Sequence, residues 1–407
     1  MSLAIDRIDK LVFQRRSAVS RTLLKIEEIP LGASRMKEFV AFPWKLYRGD
    51  RCWTPPLRGD LLGNRLLGLI GLLTPKHPYH RHAKVTHFLA RRLGESVGRI
   101  SASINYRFNN HHGTHIGFFG FWETINDYQV ASALLDRAQG WVKNEGMSVL
   151  RGPGEYSNAT HERQGVLLDG FQYPPTMELT HNPPYYGEFL ERYGFRKAKD
   201  YYAYKLDIRT PIPPRLNSLE KQVRLRREIK TRAINLKELD SEVRLIIKIY
   251  NEAWAENWGF LPITSEEAML LANSLRMVVD PGLIRFALIK DEPVAVLGAF
   301  PDPYCALRPR WRWYGDSDLV RIFRLLWMRR RQIHRTRLMF FGIHPRYRRL
   351  GIDALLFSEV KEYANRRGYR ECEASLLLED NHLILSPSEF MGAERYKTWR
   401  IYDLPIQ

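Results

Sequence analysis

The strongest constraint on this chain is that one order of elements occurs twice along it, so its fold must accommodate two similar units. In the first stretch "KVTHFLARR" (84–92) and "SVGRISASINY" (96–106) read as the strands of a hairpin turning at Leu93 to Glu95, and "THIGFFGFWE" (114–123) as a third strand. A helix follows over 127–146, with Val130, Leu134, Leu135, Ala138 and Val142 at helical spacing and Gly146 as its stop. The strand "MSVLRGP", the helix "PPYYGEFLERYGF" and the closing strand "YYAYKLDI" complete the unit. The second stretch has a hairpin in "LIRFALIKDEPVAVLGAF" (283–300), turning at Asp291 to Pro293, then the strand "RLMFFGI". Its helix "IDALLFSEVKEYANRRGY" ends at Gly368, and the strands "RECEASLLLE" and "KTWRIYDLPI" follow. "DIRTPIPPRLNS" (207–218), with three prolines, separates the two. This places an α/β (α+β) chain in two domains, 1–208 and 209–407.

At 407 residues, 44% hydrophobic and 27% charged, the composition is that of a globular chain long enough for two cores. Cys52, Cys305 and Cys372 are odd in number and far apart, which suggests neither a disulfide framework nor a zinc site and fits a reducing cytoplasm. "MSLAIDRIDKLVFQRR" interrupts its apolar residues with acids, unlike a signal peptide. The most apolar run, "LLGNRLLGLIGLLTP" (61–75), is too short to span a bilayer core of about 30 Å and carries Arg65, so it reads as buried or interfacial. His77, His80, His82, His111 and His112 lack the fixed spacing and partners of a metal site, and no metal is expected.

A formal charge of +18 calls for an anionic partner, whether nucleic acid, a phospholipid surface or a phosphorylated small molecule. Residues 304–350 hold thirteen arginines against Asp316 and Asp318, and about 302–337 reads as an arginine-rich insertion in the second unit. No base-reading motif is visible, which disfavours nucleic acid. "DSDLVRIFRLLWMRRRQIHR" is amphipathic if helical, and its arginines are expected to face solvent or an anionic surface. The second addition, "EVRLIIKIYNEAWAENWGF", carries an acceptor-like cluster of Asn251, Glu252, Trp254, Asn257 and Trp258.

Between "RLMFFGI" and the helix beginning at Ile352 lies "HPRYRRLG". A strand that turns directly into a helix leaves the first backbone N–H groups of that helix unpaired, and with the helix dipole they form an anion site. Pro345 closes the strand, Arg348 and Arg349 supply charge, and Gly351 is expected to let backbone approach a ligand. The corresponding turn of the first unit, "FFGFWETINDYQVASALL", is acidic through Glu123 and Asp127 and has no matching glycine.

The run Pro345-x-x-Arg348-x-x-Gly351-Ile352, after a strand and before an amphipathic helix, resembles the acyl-CoA pyrophosphate loop of the GCN5-related N-acyltransferases (GNAT superfamily). The order "FPWKLYRGD…WTPPLR", "GFFGFWE", "HNPPYYGEFLERYGFRKAKDYYAY", "YNEAWAENWGF", "GIDALL" and "RYKTWRIY" is similar to the tandem-GNAT bacterial ceramide synthase-like family over roughly residues 30–404. The resemblance implies two tandem domains, each a mixed, mainly antiparallel sheet flanked by helices, the first degenerate for CoA binding. It implies acyl-CoA as co-substrate, held by Arg348, Arg349, Leu350, Gly351, Ile352 and Asp353, with backbone at Phe341 to Ile343 polarising the thioester. Asp353 departs from the small residue usual there, and reads as a helix-start acid turned away from the ligand.

Amide formation from a thioester needs a neutral amine held at the carbonyl, a proton acceptor, oxyanion donors and an acid for the thiolate. The family's acid, a tyrosine on the last helix, is matched by Ser388. Glu379 and Asp380 are candidate bases or turn formers, Asn381 a CoA ligand or a cap, and Tyr186 a first-unit candidate, with Tyr185, Glu155 and His161 beside it. The resulting expectation is an N-acyltransferase acting on an amine, a lipid or sphingoid base above all, in the cytoplasm or at the inner face of its membrane. A soluble-amine acetyltransferase and a non-catalytic acyl-CoA-binding protein are the alternatives.

Overall fold

The computed structural model describes residues 24–156, 163–225, 229–308, 317–328 and 333–406. His161 and the arginines at 310, 312 and 329–331 fall outside them. The described strands are β1 (Leu24–Ile29), β2 (Ala83–Arg92), β3 (Glu95–Asn105), β4 (Ile116–Thr124), β5 (Val149–Gly154), β6 (Val166–Asp169), β7 (Arg196–Asp207), β8 (Ile229–Ala233), β9 (Ile284–Ile289), β10 (Glu292–Pro301), β11 (Arg335–Ile343), β12 (Glu371–Leu378) and β13 (Glu394–Pro405). The helices that shape the site are α1 (Met36–Leu46), α2 (Tyr128–Asn144), α3 (Tyr185–Tyr193), α4 (Pro214–Leu225), α5 (Leu239–Trp254), α6 (Asp318–Met328), α7 (Ile352–Arg366) and α8 (His382–Phe390).

The repeat is visible in both halves. β2 and β3 are joined by Leu93 and Gly94, β9 and β10 by Lys290 and Asp291, and all four linking residues have positive φ. Two positive-φ residues make the tight turn whose twist matches antiparallel strands. In each half the hairpin is followed by a third strand, antiparallel to it, which then pairs in parallel with the strand after the helix: β4 with β5, and β11 with β12. The helix between them packs its apolar face inward: Val130, Leu134, Leu135, Ala138 and Val142 of α2 are fully buried, as are Ile352 and Leu356 of α7.

The strands form one mostly antiparallel sheet in the order β1-β2-β3-β4-β5-β13-β7-β12-β11-β10-β9-β8, with β6 also on β13. The last strand of the chain reaches into the first half, pairing Tyr402 with Gly152 of β5, while β7 pairs with β12. The halves are therefore joined by exchanged strands within one continuous sheet.

The arginine-rich segment differs from the sequence expectation. Arg321 of α6 is buried and donates to the carbonyls of Pro55 and Pro56, at 2.5 and 2.8 Å, and Arg335 and Arg337 point into the interior. What α6 exposes is apolar: Leu319, Val320, Phe323 (73%) and Trp327 (72%). The 61–75 run is split as well, with Leu61 and Leu73 buried and Leu66 (86%) and Ile70 exposed. The two segments adjoin, since the Asp318 carboxylate accepts from the backbone N–H of Arg58 and Gly59.

Candidate active site

β11 and β12 pair only from Arg335↔Glu371 to Leu338↔Ala374 and then part. Irregularities bend both partners. β11 shifts register against β10 at Gly298, where the Phe340 ring takes the space of a side chain, and β12 shifts against β7 between Ala374 and Leu377. Arg337 staples the strands where they diverge: its guanidinium donates to Ser375 Oγ (3.1 Å), the Ser375 carbonyl (3.3 Å) and the Met177 carbonyl (2.6 Å). The opening holds a cavity of about 590 Å³, walled by Leu338–Ile343 on one side and Ser375–Leu378 on the other. Tyr201, Tyr250, Trp254 and Trp258 line it with aromatic surface. In the first half β4 and β5 stay paired to Gly120↔Gly154, and the cavity at the ends of those strands is smaller, about 100 Å³.

At the end of the cavity stands the turn into α7. Its N-cap is Gly351 (φ +77°), which offers no side chain to the first-turn N–H groups, whereas α2 is capped by the Asp127 carboxylate on the N–H of Gln129 (2.9 Å). The second half thus leaves donors open where the first fills them. Arg348, Arg349 and Asp353 line the cavity, and Arg348 donates to the Ala253 carbonyl of α5 (2.9 Å). Leu350 and Ile352 pack into the core instead. Gly351 also has a neighbour within the protein: a Cβ there would lie 2.7 Å from Val223 Cγ2 and 3.2 Å from Leu219, so its bareness seats α4 against the loop. Asp353 is not turned away from the cavity; it stands on that wall and on that of a shallow pocket beside Leu216.

Phe341 and Ile343 line the cavity, and the Phe341 carbonyl accepts the Trp254 indole N–H (2.8 Å). Asn257, Trp258 and Asn381 share the wall. Asn251 lies outside it and accepts from the N–H of Ile263 (3.2 Å), and Glu252 faces His344 at 3.6 Å. The candidate bases are not on the wall. Glu379 is paired with Lys197 (2.6 Å) and Asp380 with Lys199 (2.8 Å), where strand pairing across the two halves brings acids and lysines together. Ser388 donates to the Ile384 carbonyl of its own helix (2.7 Å). Residues that sequence reasoning passed over, Gln164, Tyr201, Tyr250, Arg337, Ser375 and His382, also line the cavity. Tyr201 is carried in by the β7–β12 register, which joins sequence-distant strands.

Tyr186 belongs to a second cavity of about 100 Å³ in the first half, lined by Trp44, Tyr47, Trp53, Thr54, Trp122, Glu123, Glu155, Arg163 and His181. Its hydroxyl accepts from the Thr124 N–H (2.9 Å), and that of Tyr185 donates to the Thr124 carbonyl (2.8 Å). Glu123 is held by Arg99 (2.6 Å), and Glu155 by Arg163 (2.5 Å). Burial pushes both carboxyls above their ordinary range against the pull of those arginines, and it pushes nearby Asp60 up to about 7. Gln164 lies on the wall of both cavities. Among the described residues there is no group of three or more His, Cys, Asp or Glu able to hold a metal ion.

No family model matches the sequence. Protein YghO of Escherichia coli is 30% identical over 383 residues, 92% of this chain and 94% of its own length. The bacterial ceramide synthase of Caulobacter vibrioides is 30% identical over 380 residues, 91% of this chain and 94% of its own. Among solved structures, a tandem GNAT protein from the clavulanic acid biosynthesis pathway matches 94% of this chain and 99% of its own (TM-score 0.54, 14% identity). A GCN5-related N-acetyltransferase from Sphaerobacter thermophilus matches 94% and 96% (TM-score 0.52, 13% identity). At those identities the two structures speak for the fold alone.

Proposed function

Because this chain belongs to the GCN5-related N-acyltransferase superfamily, in the family of bacterial ceramide synthase and YghO, and is by that membership an N-acyltransferase, we propose that it joins the acyl group of an acyl-CoA to a lipid amine at an anionic membrane surface. The observation that carries this reading is the cavity between the parting strands β11 and β12, closed at one end by the uncapped N-terminus of α7 with Arg348 and Arg349. Open backbone donors and two guanidinium groups suit a pyrophosphate. In this reading 209–407 holds the acyl-CoA site and 1–208 has lost the matching one, its helix end filled by Asp127.

A thioester lying along β11 would meet backbone donors near Phe341 to Ile343, and the amine would attack its carbonyl carbon to form the C–N bond. Collapse of the tetrahedral intermediate breaks the C–S bond, the thiolate takes a proton and the amine gives one up. Tyr201, which lines the cavity and is buried, is the hydroxyl we assign to the thiolate in place of the tyrosine that Ser388 replaces. Glu379 and Asp380, held by lysines, are not assigned the base.

The membrane part rests on the exposed apolar residues Leu66, Phe323 and Trp327, set in a chain of net charge +18. Apolar anchors with the exposed Arg58 and Arg65 nearby suit an interface with anionic lipid, and among the described residues no helix is long and apolar enough to cross a membrane. We place the protein at the cytoplasmic face. Lipid extracts from cells with and without the gene test the reading: an N-acylated amine lipid should disappear on deletion and return with the intact gene, and an unchanged profile would contradict it.

A further inference from the structure

Four side-chain atoms on the wall of the second cavity have no hydrogen-bond partner among the described residues: Thr54 Oγ1, Trp122 Nε1, Gln164 Oε1 and His181 Nδ1. Each belongs to a residue more than nine-tenths buried. One such atom is a small anomaly; four around a single cavity describe a site built for something polar. We infer that this cavity receives the head of the acceptor, a small group carrying an amine and neighbouring hydroxyls, with the amine at the Gln164 end that adjoins the large cavity. The inference rests on the acyl-transfer reading and assigns the residues that hold its acceptor.

The mixture of open groups selects the ligand. Trp122 can only donate, Gln164 Oε1 can only accept, and Thr54 can do both. The other ring nitrogen of His181, Nε2, donates to the Asp50 carboxylate at 2.8 Å, and in that tautomer Nδ1 is an acceptor. A phosphate or carboxylate, which only accepts, would leave Gln164 and His181 unmet. Hydroxyls meet both kinds. The charge points to a cation: Glu123 and Glu155 line the cavity, Glu178 stands 3.6 Å from Arg163, and Arg99 and Arg163 are the arginines set against them. Trp44, Tyr47, Trp53 and Trp122 line the cavity with the aromatic surface that an ammonium favours. At about 100 Å³ the cavity suits a head of a few heavy atoms, while the 590 Å³ cavity has room for an acyl chain.

The test titrates the full-length protein, with and without palmitoyl-CoA, with two water-soluble probes of equal alkyl length: an amine flanked by two hydroxyls, and the plain primary amine. Wild type should bind the aminodiol at least about tenfold tighter, as expected for two or more added hydrogen bonds. Thr54→Val, nearly isosteric, and Trp122→Phe should each weaken the aminodiol by roughly three- to tenfold and leave the plain amine and palmitoyl-CoA within twofold. Equal binding of the two probes by wild type, or aminodiol affinity unchanged in both variants, overturns the assignment. Failure to bind palmitoyl-CoA would instead strike the acyl-transfer reading, and the preference between probes measured without it would still decide this site.

Discussion

Gly351 offers the most quantitative test of how the loop is built. At φ +77° an L-residue pays about 1–2 kcal/mol. An alanine Cβ would also meet Val223 Cγ2 at 2.7 Å, and relieving such a contact costs about 1–3 kcal/mol. At about 2.1 cal/mol/K per residue the unfolding entropy of 407 residues is roughly 0.9 kcal/mol/K, so Gly351→Ala should lower Tm by about 2–6 °C. Palmitoyl-CoA at about 100 times its Kd should raise the wild-type Tm by roughly 3 °C, from about 2.7 kcal/mol of linkage. Swinging the first turn of α7 away from the anion forfeits at least one charge-assisted hydrogen bond, about 1.5–3 kcal/mol. The same ligand concentration should then shift the variant by about 1.5 °C or less. Val223→Ala removes the offending methyl, so the two substitutions should be coupled by at least about 0.5 kcal/mol, the double variant regaining stability relative to the sum. Differential scanning fluorimetry across the four proteins measures all of this. A Gly351→Ala protein that keeps the full ligand shift, or strict additivity with Val223→Ala, would refute the reasoning.

Other consequences are independent of the loop. Phe323→Asp with Trp327→Asp removes two exposed anchors, each worth about 1.5–3 kcal/mol if buried in lipid, and should cut co-sedimentation with anionic vesicles more than about tenfold without altering the palmitoyl-CoA shift. His87 is fully buried beside the Tyr156 hydroxyl (2.8 Å), and burial drops its pKa to about 3 from the ordinary value near 6.5. Its folded pKa lies below its unfolded one, so its contribution is intact above pH 6.5 and is lost as pH falls toward 3, at up to about 1.4 kcal/mol per pH unit. Urea denaturation at stepped pH should show a shallower acid slope for His87→Asn; an unchanged slope would contradict the buried neutral ring. Trp254→Phe frees the Phe341 carbonyl and should cost about 0.5–1.5 kcal/mol of stability with a raised KM for acyl-CoA, read by chemical denaturation and initial rates.

The parts legible in the sequence are those encoded locally. The two hairpins, the α2 and α7 periodicities and the strand-to-helix turn at Pro345–Gly351 each arise from a few consecutive residues, although the second hairpin turns at Lys290 and Asp291, earlier than the expected Asp291 to Pro293. What escaped the sequence depends on pairing across the halves. The β7–β12 and β13–β5 ladders bring Lys197 and Lys199 to Glu379 and Asp380 and carry Tyr201 to the large cavity. The inward turn of Arg321 depends on carbonyls of Pro55 and Pro56, far away in the chain, so the helix presents apolar side chains where its arginines suggested a charged face. The polar cluster of the second cavity draws Thr54, Trp122, Gln164 and His181 from four separate segments, with no spacing that a linear reading could detect.

The most direct test is transfer itself. The purified chain is supplied with palmitoyl-CoA and a long-chain aminodiol on anionic vesicles, free CoA thiol is followed with time, and the lipid phase is weighed by mass spectrometry. Thiol release should require the amine and be matched one for one by the N-palmitoyl amide. Release that is absent with every acyl-CoA and amine tried, or that proceeds equally without amine, would contradict an N-acyltransferase.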